Sequence, residues 1–158
     1  MNRKYLVFLD IDGVFTSARV HLAHNATYEM WHRFDPVAID FMNKIHDKYP
    51  VEFVIMSTWK EFLDATSKQT EHWVRAAFGN SGFRGQFASP WKTDPDDEWI
   101  RGRRLDRGDQ VREYLDQYGA DILDFILFDD NSYNFETALG KKRLIKTDPE
   151  NGLLFKHM

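Results

Sequence analysis

The chain has 158 residues, 42% hydrophobic and 15% aromatic, enough apolar material for one globular domain with a real core. Lys and Arg number 21 against 25 for Asp and Glu, a formal net charge of −4, which excludes a uniformly basic surface and leaves polyanion recognition to local clusters. Cysteine is absent, which excludes disulfide frameworks, thiolate zinc sites, iron–sulfur clusters and cysteine nucleophiles. The apolar run that follows Arg3 and Lys4 stops at Asp10, far short of a signal-peptide core, and no later stretch approaches a membrane span. A cytoplasmic protein with no membrane partner is expected, organised as a single domain over residues 1–158.

Lys4 to Leu9 is continuously apolar and ends in Asp-Ile-Asp-Gly, the pattern of a strand buried on both faces and closed by a glycine turn. Asp35-Pro36 supplies an N-cap and a first-turn proline, and Val37, Phe41 and Ile45 then follow helical spacing up to Tyr49-Pro50. Val51 to Met56 reads as a second buried strand. Thr58-Trp-Lys-Glu61 has the capping-box spacing, which predicts a helix from Thr58 to about Phe78, closed by Gly79. Gly79 to Asp106 is poor in periodic apolar residues and reads as one long connection. Val111, Leu115 and Tyr118 then predict a helix stopped by Gly119, Ile122 to Phe128 a third strong strand, and Leu144-Ile145 a short fourth. Alternation at this spacing predicts a three-layer α/β fold, a Rossmann-like parallel sheet with helices on both faces, whose ligand groups gather at the carboxyl ends of the strands.

Each strong strand ends in residues of chemical interest: Asp10 and Asp12, then Ser57 and Thr58, then Asp129 and Asp130. A lone Asp-Gly is most simply a turn former. Two Asp pairs converging at one sheet edge would instead repel unless a cation sat among them, and all-oxygen ligands suit a hard ion. Mg²⁺ held by Asp10, Asp12, Asp129 and Asp130 is therefore expected, with one of Asp129 and Asp130 touching it directly and the other acting through water or orienting a neighbour.

Val7-Phe-Leu-Asp10-Ile-Asp12-Gly13-Val14 resembles motif I of the haloacid dehalogenase-like (HAD) hydrolase superfamily. Val54-Ile-Met-Ser57 resembles its motif II, Arg107 stands where motif III carries Lys or Arg, and Leu127-Phe-Asp129-Asp130 resembles the acidic motif IV. Ser57-Thr-Trp59-Lys, Arg107-Gly-Asp-Gln-Val and Thr147-Asp-Pro-Glu-Asn-Gly152-Leu are similar to a small capless branch that includes the HAD domain of Swiss Army Knife RNA repair proteins. The resemblance implies a phosphatase in which Asp10 attacks phosphorus to give an aspartyl-phosphate and Asp12 acts as general acid and then base. Ser57, Thr58 and a cation would hold the phosphoryl group. Lys92, Arg101, Arg103 and Arg104 compete with Arg107 for that last role; Arg107 is preferred because it opens the helix leading into the Asp129 strand. Of Ser57 and Thr58, Ser57 is the better ligand, since the capping box would occupy the Thr58 hydroxyl.

The gaps from Val14 to Asp35 and from Gly79 to Asp106 have room for a flap hairpin and a loop but for no cap domain, so the site is expected to be open. An open site suits large phosphate esters, and the resemblance tilts the expectation towards RNA or DNA ends and nucleotides. The alternatives are a mononucleotide 5′-nucleotidase, a protein phosphatase, and a catalytically silent module that binds metal and phosphate. His21-x-x-His24 has metal-like spacing but lacks a third ligand. The basic clusters at Arg101 to Arg107 and Lys141 to Arg143 with Lys146 read first as solvated faces. Tyr28, Trp31, Trp59, Trp91 and Trp99 include potential stacking platforms for a base, although core packing accounts for most aromatics in so aromatic a chain.

Overall fold

The computed structural model describes residues 3–23, 33–61, 70–93, 105–140 and 142–157. Its chain order is β1 (Lys4–Leu9), α1 (Ala18–Ala23), α2 (Pro36–Lys48), β2 (Val51–Ile55), a 3₁₀ turn (Thr58–Glu61), α3 (Thr70–Asn80), β3 (Phe87–Lys92), α4 (Arg107–Tyr118), β4 (Ile122–Asp129), α5 (Phe135–Leu139), β5 (Leu144–Lys146) and a 3₁₀ turn (Phe155–His157). The strands form one five-stranded sheet in the order β3-β2-β1-β4-β5, and every pairing is parallel.

The strands read as unbroken apolar runs because both faces are covered. Val7 and Leu9 of β1, Phe53 and Ile55 of β2 and Phe128 of β4 pack with Phe41 and Met42 of α2 and Phe78 of α3. Their sequence neighbours Leu6, Phe8, Val54 and Leu127 turn the other way, onto Val111 and Tyr114 of α4 and Phe135 of α5. Each of these side chains contributes about 1.5–3 kcal/mol by leaving water, so a register slip that exchanged the faces is strongly disfavoured. Asp35 caps α2 as expected, accepting from the Val37 N–H at 2.9 Å with Pro36 in the first turn.

Three expectations are corrected. The long connection contains β3, an edge strand beside β2 that the sequence hid because Phe87–Lys92 has no alternation and carries Pro90, a residue tolerated at a sheet edge. Leu144-Ile145 therefore begins the fifth strand rather than the fourth. The Thr58 capping box opens a 3₁₀ turn, Thr58–Glu61, rather than an α-helix; residues 62–69 lie outside the described residues, and α3 (Thr70–Asn80) runs past Gly79 to Asn80. In the gap after Val14 the chain forms the short helix α1, and residues 24–32 of that gap lie outside the described residues.

The register puts the site together. Leu9 pairs with both Ile55 and Phe128, so β1, β2 and β4 end at one level. The Asp10 N–H then reaches the Phe128 carbonyl at 2.9 Å, and the Met56 N–H reaches the Leu9 carbonyl at 2.9 Å. The C-terminal segment closes over the turn after β1: the Thr147 hydroxyl donates to the Gly13 carbonyl at 2.7 Å, and the Leu153 N–H donates to the Val14 carbonyl at 3.1 Å. Among the described residues no helix is long and apolar enough to cross a membrane.

Candidate functional site

Asp10, Asp129 and Asp130 each present a carboxylate oxygen within 4.8 Å of the others, at the carboxyl ends of the two central strands β1 and β4. Asp10 is 4% exposed and Asp129 fully buried, and Asp130 is half-buried. Gly13 makes this approach possible. Its φ of +70° suits glycine, and a Cβ there would lie 2.4 Å from Asp130 Oδ2.

Arg107, the first residue of α4 and itself buried, bridges the two deepest carboxylates. Its Nη1 lies 3.0 Å from Asp10 Oδ1 and 2.8 Å from Asp129 Oδ2. Burial works against the guanidinium charge, but the fields of Asp10 and Asp129 outweigh it and raise the Arg107 pKa. One cation does not balance the cluster. Burial and then the Asp10 charge push Asp129 up to about 7 despite Arg107 and the Asn131 N–H, which donates to its Oδ1 at 2.8 Å. Burial likewise raises Asp10 against the opposing pull of Arg107 and a hydrogen bond from Ser57. An all-oxygen donor set short of positive charge fits a hard divalent cation such as Mg²⁺.

Asp12 stands outside this group. It is exposed, its Oδ1 accepts from the Thr16 hydroxyl at 2.9 Å, and its Oδ2 accepts from the Trp59 indole N–H at 2.8 Å. Of the four carboxylates expected to hold metal, the fold thus gathers three and gives the fourth neutral hydrogen-bond partners. Ser57 is buried at the exit of β2, and its Oγ takes the Trp59 backbone N–H at 3.3 Å. Ser57 therefore makes the local capping contact that the sequence assigned to Thr58, whose side chain is exposed.

Among the rival cations, Lys92 ends edge strand β3 with its ammonium over the Trp91 ring, and Arg101, Arg103 and Arg104 lie outside the described residues. His24, Tyr28, Trp31, Trp99 and Lys141 also lie outside them. The sequence reading missed two neighbours of the carboxylates. Trp59, grouped there with possible base platforms, is 7% exposed and turned inward onto Asp12. Tyr133 follows β4 with its ring 4.5 Å from the Arg107 guanidinium and a φ of +36°, a backbone conformation strained for a bulky residue. The capping-box spacing hid the first; the second had no sequence signal. A concavity of about 620 Å³ lies elsewhere, beside the amino-terminal halves of β1 and β4, and is lined chiefly by apolar side chains such as Val7, Phe41 and Ile126.

A family described as the HAD domain in Swiss Army Knife RNA repair proteins has a model that matches residues 6–158. No curated protein and no solved structure matches the chain.

Proposed function

The chain belongs to the family of HAD domains in Swiss Army Knife RNA repair proteins, and on that premise we propose that it is a Mg²⁺-dependent phosphohydrolase acting on phosphate monoesters. The observation that carries the reading is the meeting of Asp10, Asp129 and Asp130 beside Arg107, with a separately held carboxyl group, Asp12, two residues from Asp10.

Asp10 is the nucleophile. One of its oxygens forms a bond to phosphorus while the bond to the leaving oxygen breaks, and Asp12 passes its proton to that oxygen. Water then attacks the aspartyl-phosphate, giving its proton to Asp12 as the bond between Asp10 and phosphorus breaks, which releases inorganic phosphate and restores both groups. Ser57 and Arg107, already in contact with Asp10, orient the nucleophile and bind phosphoryl oxygens. Mg²⁺ held by Asp10, Asp129 and Asp130 would supply the charge that offsets carboxylates and phosphoryl oxygens together. Ends of RNA or DNA are the favoured substrates, supported by the family's description and by the short gaps after Val14 and Gly79, which leave no room for a cap domain.

The test is acid quench with ³²P-labelled ester followed by peptide mapping, beside a panel of 3′- and 5′-phosphorylated oligonucleotides, mononucleotides and phosphopeptides. Label on Asp10, turnover lost with chelator and restored by Mg²⁺, and a preference for oligonucleotide ends are expected. Label on serine or histidine would overturn the mechanism. A preference for mononucleotides or phosphopeptides would overturn the substrate assignment, and no turnover on any ester would overturn the enzyme.

A further inference from the structure

Asp12 lies in the turn that follows β1, where no strand register fixes its side chain, and an unrestrained carboxyl group swings over a broad range about its last torsion. Two donors from different parts of the chain remove that freedom. The Thr16 hydroxyl comes from the same turn, whereas the Trp59 indole comes from beyond β2, 47 positions away in sequence. We propose that Trp59 is a positioning residue for the acid–base step: its indole N–H fixes the Asp12 carboxyl group through Oδ2 and leaves Oδ1 as the oxygen that carries the transferable proton. The inference rests on the phosphohydrolase reading and deepens it.

The assignment of the two oxygens follows from what each partner can do. An indole N–H donates and never accepts, so it holds Oδ2 as an acceptor whether Asp12 is ionised or neutral. In a neutral carboxyl group the carbonyl oxygen is the better acceptor, so the proton belongs on the opposite oxygen, Oδ1. There it faces Thr16, whose hydroxyl donates to the carboxylate and, by rotating, accepts from the acid. Trp59 is thus the fixed clamp and Thr16 the adaptable one.

The clamp is rigid because its ring is held by packing. Trp59 is 7% exposed, its ring centroid is 6.0 Å from that of Phe34, and Phe34 immediately precedes the Asp35 cap of α2. The same turn also reaches the nucleophile: Ser57 Oγ takes the Trp59 backbone N–H, and Ser57 hydrogen-bonds Asp10. The exit of β2 therefore sets both motif I carboxyl groups relative to one another, as a two-group mechanism requires.

Trp59→Phe keeps an aromatic ring beside Phe34 and removes the N–H along with part of the indole. It should be assayed with p-nitrophenyl phosphate, whose leaving group departs without a proton, and with a nucleoside 5′-monophosphate, whose leaving group needs one. The single-turnover rate of aspartyl-phosphate formation, which precedes the hydrolysis step common to both esters, should fall ~10-fold or more for the nucleotide and less than ~3-fold for the aryl ester. A purely structural role would lower both rates in parallel, and parallel loss overturns the inference. A second measurement holds even if the variant does not fold: in ¹⁵N-tryptophan-labelled wild-type protein, Asp12→Ala should shift one of the five indole N–H resonances selectively. No selective shift overturns the inference. Wild-type protein inactive on both esters and on phosphorylated oligonucleotide ends would instead overturn the phosphohydrolase reading and take this inference with it, so the two failures are distinguishable.

Discussion

The ends of β1 and β4 each deliver two aspartates, and the fold treats the members of each pair differently. Asp10 and Asp129 are buried side by side and share Arg107, whereas Asp12 is exposed and Asp130 half-buried at the rim. At the buried positions the loss of water dominates: burial raises both carboxyl groups, and at Asp129 the Asp10 charge adds to it, beyond what Arg107 offsets. At Asp12 geometry dominates, because water screens its charge and neutral donors decide where its oxygens point. In the proposed mechanism one residue type thus serves as nucleophile and metal ligand in one environment and as proton carrier in another.

The largest effect that would sharpen this contrast is on turnover. Asp10→Asn should lower kcat by ~10⁴-fold or more, since no group replaces the attacking oxygen, whereas Asp12→Asn should cost ~10²–10⁴-fold. Steady-state kinetics on one ester checks both, and equal activity in Asp10→Asn and wild type would break the division of labour.

Stability should show the same ordering, with the buried group the more costly to lose. Arg107→Met leaves the buried carboxylates without their counter-charge and should destabilise the metal-free protein by about 3–5 kcal/mol, while Asp12→Asn should cost under about 1 kcal/mol. Urea denaturation measures both. Added Mg²⁺ should raise the thermal midpoint of the wild type and do so less in Asp129→Asn, by the linkage that binding to the folded state alone creates. An identical Mg²⁺ response in the two proteins would remove Asp129 from the metal site.

The smallest effect probes the boundary between the two environments. Gly13→Ala places a Cβ against the Asp130 carboxylate in a backbone conformation that L residues rarely adopt, and should cost about 1–3 kcal/mol together with a weaker apparent affinity for Mg²⁺. Calorimetry and a metal titration of activity check it.

Where sequence legibility failed, the cause was physical. β1, α2, β2, α4 and β4 were legible because each joins a strong apolar pattern to a terminal signal such as Asp35-Pro36 or Gly119. β3 was not, since an edge strand buries less and Phe87–Lys92 has neither alternation nor a β-branched run. Thr58-x-x-Glu61 has the local spacing of a helix start, yet the chain there makes only a 3₁₀ turn, with Ser57 rather than Thr58 taking the Trp59 N–H. Local propensity yielded to the tertiary demand that Trp59 be buried against Phe34 and bonded to Asp12.

The sequence by itself determined the parallel α/β alternation, the strand exits at Asp10, Ser57 and Asp129, and Arg107 at the head of a helix, because periodicity and caps are encoded between near neighbours. Only the tertiary structure decided which carboxylates meet, that Arg107 lies between Asp10 and Asp129, and that Asp12 is held apart by an indole 47 positions away. Those contacts depend on strand order and register across the sheet, and long-range pairing leaves no local pattern to read.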